Sequence, residues 1–146
     1  MKQFRRDSGP GNSQWGLDML RAEVARLGAL IDAPAADLVA FEPDDAGRPY
    51  VLVDADGAYH WLVAEGGEIR EDRTTTSRDE LLYWSFDATT YAMAGASATR
   101  NPVEGQEFRV TIWLKQFELL RALDPGWEQR RRRELADHVA DLPPLP

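Results

Sequence analysis

The sequence predicts an α+β fold with an N-terminal helix, an antiparallel meander of three or four strands and three further helices. Two observations support this prediction. The spacing of apolar residues changes from a helical period to a period of two and back, and residues 77–98 are apolar around more than half of a helical circumference. The apolar residues include Tyr91, Ala92 and Ala96, and the narrow polar strip that remains consists of Tyr83, Asp87, Thr90 and Ser97. Such a helix cannot lie on the outside of a soluble monomer, so we expect it at the centre of the fold. The length suits a single domain at residues 14–142, with a flexible arm at 1–13 and a Pro-rich tail at 143–146.

The predicted helices are marked by apolar stripes and by their end signals. Residues 14–31 form the first, with one apolar face. Ser77 and Glu80 have the spacing of a capping box at the start of the central helix. A third helix is expected at residues 106–123, and Asp124 followed by proline predicts the start of a fourth. The stripe of the first helix consists of Leu17, Leu20, Val24, Leu27 and Ile31. The stripe of the fourth helix consists of Trp127, Leu135, His138, Val139 and Leu142.

The strands are predicted at residues 49–54, 58–64 and 68–75, with residues 38–41 as a possible fourth. Asp56-Gly57 and Gly66-Gly67 are expected to form two-residue hairpin turns. These turns would place one set of side chains against the helices: Val51, Val53, His60, Leu62 and Ile69. The opposite face would carry Tyr50, Leu52, Tyr59, Trp61 and Val63. Either the first helix or a partner protein would cover that opposite face.

The negative charge is local. The formal net charge is -8, and residues 32–72 alone contain 11 acidic residues and two arginines. Such a surface repels nucleic acid and membranes and attracts basic proteins, although acids in loops can also serve solubility alone. The arginines at 130–133 are expected to form a solvated face that Glu134, Asp137 and Asp141 neutralise. Arg109 lies within an apolar arc of the third helix, so we expect it to be paired inside the protein, with Glu80 or Asp87.

The residues with potential for chemistry do not form a recognisable site. The chain has no cysteine, and its two histidines, His60 and His138, are expected at inner, satisfied positions. No glycine-rich phosphate loop follows a strand, and the run from Asp54 to Gly57 lacks the remaining ligands of a calcium loop. We therefore expect no cofactor, no metal site and no enzymatic activity. Without a signal peptide or an apolar span, the chain is expected in the cytoplasm.

A resemblance to a known family rests on residues spread over most of the chain. They are Tyr59-His60-Trp61-Leu62-Val63, Glu65, Asp79-Glu80-Leu81-Leu82-Tyr83-Trp84, Phe108-Arg109, Gln116, Leu119-Leu120 and Trp127. In their order and spacing they resemble the immunity protein 63 family. The resemblance implies a cytoplasmic antidote that binds a toxin domain of a bacterial polymorphic toxin system.

Two hypotheses follow. The first is an immunity protein that neutralises a cognate toxin domain, possibly a basic nuclease, through an acidic surface with aromatic anchors. Its candidate contact residues are Asp44, Asp45, Asp54, Asp56, Tyr59, Trp61, Glu65, Glu68 and Asp72. The second is a small-ligand sensor or an enzyme with a pocket between the sheet and the central helix, near Tyr83, Asp87 and His60. Neither hypothesis predicts binding to nucleic acid or to a membrane.

Overall fold

The protein combines one antiparallel sheet with four α-helices, as the computed structural model shows for residues 13–138, with side chains described for 16–136. The elements in chain order are α1 Ser13–Leu30, β1 Tyr50–Val53, β2 Tyr59–Glu65, β3 Glu68–Thr75, α2 Arg78–Arg100, α3 Phe108–Leu123 and α4 Pro125–His138, with a short 3-10 helix at Ala35–Asp37. The predicted α+β fold is confirmed. Residues 1–12 of the predicted arm, the tail at 143–146, and Val139 and Leu142 of the α4 stripe lie outside the described part of the chain, as does the side chain of His138.

Helix α2 begins where the sequence predicts. Ser77 is its N-cap, and the side-chain oxygen of Ser77 accepts the Glu80 N–H at 3.1 Å. In a capping box the Ser77 N–H would donate to the Glu80 side chain. Here the Ser77 N–H donates instead to the Thr75 hydroxyl at 3.0 Å. Along the buried side, Thr89 and Thr90 donate their hydroxyls to carbonyls one turn earlier. Threonines can therefore lie inside this helix without leaving unsatisfied donors.

The central helix is buried along its first half and uncovered on one side of its second half. Leu81 and Phe86 have no exposed surface, as the prediction of a central helix requires. Tyr83 and Thr90, predicted to lie on a polar strip, are buried instead. By contrast, three residues predicted to be covered are exposed: Tyr91, Ala92 and Ala96. In this second half, Ala94 and Ala98 are buried in a cluster with Ile112 of α3.

The main core lies between the helices and the inner face of the sheet. Helix α1 contributes Leu20, Val24, Leu27 and Ile31 to the same buried cluster as Val51, Val53, Tyr59 and Trp61 of the sheet, with Leu81, Leu82, Tyr83 and Phe86 of α2. The first helix therefore packs on the inner face and does not cover the outer one. Burial of these side chains is the main source of stability, because each contributes roughly 1.5–3 kcal/mol when removed from water.

The first hairpin turn is one residue longer than predicted. Val53 pairs with Tyr59, and the Asp54 N–H donates to the Ala58 carbonyl at 3.0 Å, so the loop contains three residues. A shift of one residue moves one strand's side chains to the opposite face relative to its neighbour. Tyr59 and Trp61 consequently share the inner face with Val51 and Val53. The predicted inner positions of His60, Leu62 and Ile69 were wrong.

The second hairpin turn forms as predicted. Glu65 pairs with Glu68, and Gly66 and Gly67 both have the positive φ that a two-residue turn of this kind needs. A bulge between Val63 and Ala64 then shifts the pairing by one residue. The predicted fourth strand at residues 38–41 is reduced to an isolated bridge between Ala40 and Tyr50. The sheet therefore has three strands in the order β1-β2-β3.

Candidate partner-binding surface

Four of the predicted contact residues meet at the end of the sheet where β2 turns into β3. We call this group, Asp44, Asp45, Glu65 and Glu68, the acidic end. Both carboxylate oxygens of Asp45 accept the Gly67 N–H at 2.9 Å, which ties the loop before β1 to this turn. Asp44 accepts the backbone N–H groups of Ala46 and Arg48. The carboxylates of Glu65 and Glu68 lie on the surface, so the acidic end presents negative charge to solvent.

Three other predicted contact residues are inside the protein. The exposed fractions of Asp54, Tyr59 and Trp61 are 0%, 8% and 4%. The longer first hairpin turn is the reason, because it places Tyr59 and Trp61 on the inner face. Asp54 supports that turn by accepting the N–H groups of Asp56 and Ala58. These three residues therefore support the fold and present little accessible surface to a partner.

The remaining two predicted residues are separated from the acidic end. Asp56 is exposed at the tip of the first hairpin, at the opposite end of β2. Asp72 lies on the outer face beside His60, whose Nδ1 is 3.3 Å from the Asp72 carboxylate and whose Nε2 is 2.9 Å from Asp54. The nearest hydroxyl to this histidine, that of Thr74, is 3.4 Å away and exposed. His60 is thus held between two acids and has the satisfied environment that the sequence predicts, but on the outer face.

Arginines of α4 make the ion pairs that were expected of Arg109. The guanidinium of Arg130 donates two bonds of 2.7 Å to the two carboxylate oxygens of Glu80. Arg131 lies 3.3 Å from Asp87. Arg109 instead is exposed and lies 3.2 Å from Glu107, the N-cap of α3. The prediction for Arg109 was wrong because Phe108 and Arg109 begin α3 at its exposed side.

The arginine run is therefore only partly a solvated face. Arg130 also pairs with Glu134 one turn later, as predicted, but its contact with Glu80 fastens α4 to α2. Arg132 lies over the Phe117 ring of α3, at 4.2 Å from the centroid. Arg133 is exposed. The predicted neutralising residues Asp137 and Asp141 are outside the described side chains.

A polar network fills the space between α2, α3 and α4. The Tyr83 hydroxyl donates to Glu134 at 2.7 Å, and the Gln116 amide donates to Asp87 at 2.9 Å. Burial raises the pKa of Tyr83 and of Asp87, although Arg131 opposes the rise for Asp87. The hydrogen bonds from Arg130 lower the pKa of Glu80. This network is paired within the protein and holds the three helices together.

An open cleft of about 400 Å³ lies between β3 and the helices α2, α3 and α4. We call it the aromatic cleft; it is lined by Trp61, Glu71, Arg73, Trp84, Asp87, Ala88, Tyr91, Trp113, Arg131 and Leu135. The Arg73 guanidinium lies over the rings of Trp61 and Trp84, at 4.9 Å and 5.6 Å from their centroids. The second hypothesis expected a pocket between the sheet and the central helix, and the cleft lies there, although Asp87 is the one residue named for that pocket that lines it. Sequence reasoning missed the aromatic lining, because Tyr91 was expected to be covered by the core.

The pocket expected for a sensor or an enzyme does not assemble from its predicted residues. Asp87 lines the aromatic cleft, whereas Tyr83 is buried against Glu134 and His60 lies on the outer face of the sheet. Within the described residues, no group of three or more histidine, aspartate or glutamate side chains has the arrangement of a metal site. None of the helices in that part of the chain is long and apolar enough to cross a membrane.

Comparison with known proteins places the chain in a family. The model of the family described as immunity protein 63 matches residues 55–137, which include β2, β3 and α2 to α4 up to its last turn. No curated protein and no solved structure matches the chain. The matched segment is more than half of the sequence and contains both the central helix and the α4 ion pairs. This chain belongs to the immunity protein 63 family.

Proposed function

We propose that this protein is a cytoplasmic immunity protein that binds and neutralises the toxin domain of a bacterial polymorphic toxin system. The observation that carries the proposal is the family match over residues 55–137. Immunity by binding requires an accessible surface and a stable scaffold, and it requires no catalytic group. The scaffold is supplied by the buried central helix and its polar network. The accessible surface is supplied by the exposed residues of the sheet.

The charge distribution supports a basic partner. The chain has a net charge of -8, and the four carboxylates of the acidic end lie close together at one end of the sheet. Negative charges concentrated in this way raise the rate of encounter with a positively charged protein, most strongly at low salt. A nuclease fits this description, because its substrate is a polyanion and its surface is basic. In this proposal, the acidic end occupies positions on the toxin that would otherwise receive phosphates.

The contact residues proposed from charge are Asp44, Asp45, Glu65 and Glu68, with Asp56 and Asp72 as outlying acids. Asp54, Tyr59 and Trp61 are left out because they are buried. The acids are also expected to disfavour binding to nucleic acid and to anionic membranes, so the proposal includes neither as a partner. The proposal involves no cofactor.

The proposal expects the gene immediately upstream to encode a secreted toxin, and it is tested with the C-terminal domain of that gene product. That domain, carrying an inactivating substitution, is co-expressed with this protein and the mixture is separated by size-exclusion chromatography. We expect one complex that survives the column. The active toxin domain should also lose its activity in vitro when this protein is added in equimolar amount. If no complex elutes and the toxin stays active, the proposal is refuted.

A further inference from the structure

The second half of α2 has more apolar surface than the protein itself covers. Tyr91 is 46% exposed, and Ala92 and Ala96, about 100° and 140° further around the helix, are exposed as well. These three residues are among the apolar residues from which a buried helix was predicted. A pattern of apolar residues that predicts burial, on a surface that the monomer leaves open, is typical of an interface with another molecule. Of these three residues, Tyr91 lines the aromatic cleft, whereas Ala92 and Ala96 lie outside its lining.

The residues of the cleft are of the types that dominate binding energy in protein interfaces. Trp84 and Trp113 line it together with Tyr91, and arginines stack on both tryptophans. Tryptophan, tyrosine and arginine are the residues most often found as energetic hot spots. At the edge, Arg73 is bonded to Glu71 at 3.1 Å, and both side chains are nearly half exposed. An apolar cleft with a polar, solvated edge has the anatomy of a hot spot and its rim.

The polar groups of the cleft favour an apolar occupant. Asp87 already accepts from Gln116 and faces Arg131, and Arg73 already pairs with Glu71. A small polar ligand needs convergent groups that are free to orient it, and these are engaged with each other. A large apolar side chain needs only contact with the aromatic rings. The occupant that fits is therefore a side chain delivered by a protein.

Strand β3 connects the cleft with the acidic end. Glu68 lies at the start of the strand, and Glu71 and Arg73 at the cleft are three and five residues further along. At roughly 3.3 Å per residue, Arg73 is about 17 Å from Glu68. A standard interface covers about 800 Å² on each partner, or about 30 Å across, so one bound protein reaches both places. The partner that the acidic end attracts is thus placed to fill the cleft.

We propose that the aromatic cleft receives a large apolar side chain, aromatic or aliphatic, from the cognate toxin domain. The acidic end steers the toxin along β3, and Trp84 and Tyr91, with the small exposed part of Trp113, then bury the inserted side chain. This inference rests on the proposed immunity function, and it identifies the cleft as the part of the surface that contributes most to toxin binding. It divides the surface into a charged part that sets the association rate and an apolar part that sets the dissociation rate.

The test compares two cleft variants with a matched control. Tyr91→Ala removes an exposed ring, and Ala88→Gln fills the cleft with a neutral side chain that suits a helix. The control is Leu30→Ala, which removes an apolar side chain that is 57% exposed at the end of α1 and lies outside the cleft lining. Binding to the inactivated upstream toxin domain is measured by biolayer interferometry, and thermal unfolding confirms that each variant is folded.

We expect Tyr91→Ala and Ala88→Gln each to raise the Kd at least 10-fold, mainly through faster dissociation, and Leu30→Ala to change it less than 3-fold. If the wild-type protein binds the toxin and both cleft variants bind equally well, the cleft inference is wrong while the immunity function stands. If the wild-type protein does not bind, the proposed function itself fails. Light scattering of the protein alone completes the test: a dimer that Tyr91→Ala dissociates would show that a second copy occupies the surface, and would overturn the inference.

Discussion

Arg130 connects α4 to the central helix, so replacing it should lower the stability of the protein by an amount that follows from its contacts. Replacing Arg130 by alanine removes two bonds of 2.7 Å to Glu80 and a guanidinium that lies 3.9 Å from the centroid of the Tyr83 ring. The side chains of Arg130 and Glu80 are 31% and 32% exposed, so solvent weakens their attraction. The substitution should therefore destabilise the protein without unfolding it.

The expected loss is about 2 kcal/mol. A charge-assisted hydrogen-bonded pair contributes roughly 1.5–3 kcal/mol when buried, which we reduce to roughly 1 kcal/mol for partial exposure. The stacking of the guanidinium on Tyr83 adds roughly 0.5–1 kcal/mol. For a protein of this length, that loss corresponds to a decrease of about 6–8 °C in Tm.

Urea unfolding at pH 7, followed by tryptophan fluorescence and circular dichroism, measures this loss. The matched control is Arg133→Ala, because Arg133 belongs to the same arginine run and is exposed. The control should change the free energy of unfolding by less than about 0.5 kcal/mol. Equal losses in the two variants, or a loss below about 0.5 kcal/mol for Arg130→Ala, would refute the assignment of Arg130 as the residue that holds α4.

Three further predictions concern the core, the pH dependence and the acidic end. Phe86→Ala should cost about 4 kcal/mol because the ring is fully buried, whereas Tyr91→Ala on the same helix should cost less than about 1 kcal/mol; urea unfolding compares them. The pKa of Glu80 is lowered in the folded state, so its contribution is present near pH 7 and is lost as the pH falls through that lowered pKa; the stability difference between wild type and Glu80→Gln should shrink in the same range. The pair Glu65→Gln and Glu68→Gln should slow association with the toxin several-fold at low salt and have little effect in high salt, as stopped-flow measurements would show.

The electrostatic prediction has a matched control. Glu104 and Glu118 are exposed acids of the helical part, and changing both to glutamine alters the net charge by the same amount. This pair should leave the association rate nearly unchanged if the acidic end steers the toxin. Equal slowing by both pairs would mean that only the total charge matters, and the assignment of the acidic end would be withdrawn.

The helices and most of the strands were predictable because their signals are local. The 3.6-residue stripe of α1, the Ser77 cap and the Asp124-Pro125 start of α4 each depend on a few neighbouring residues. The Gly66-Gly67 turn was equally accessible, since two consecutive glycines suit a turn with positive φ at both positions. These features account for the correct order of elements.

The errors arose where the outcome depends on distant residues or on a choice between similar loops. Asp56-Gly57 suits both a two-residue and a three-residue hairpin loop, and the Asp54 carboxylate stabilises the longer one by accepting two N–H groups. Because of this longer loop, Trp61 lies in the core and not on the surface where it was expected. Likewise, pairing of Glu80 with Arg130, 50 residues away, follows from how α4 packs on α2 and has no signature in sequence spacing.

The most direct test of the proposed immunity function is survival of bacteria that express the C-terminal domain encoded by the upstream gene, which the proposal expects to be the active toxin. Cells that also express this protein should grow as well as cells without the toxin, and cells carrying the double cleft variant Tyr91→Ala and Ala88→Gln should grow less well. Death of the cells despite abundant, folded wild-type protein would contradict the proposal that this protein neutralises that toxin.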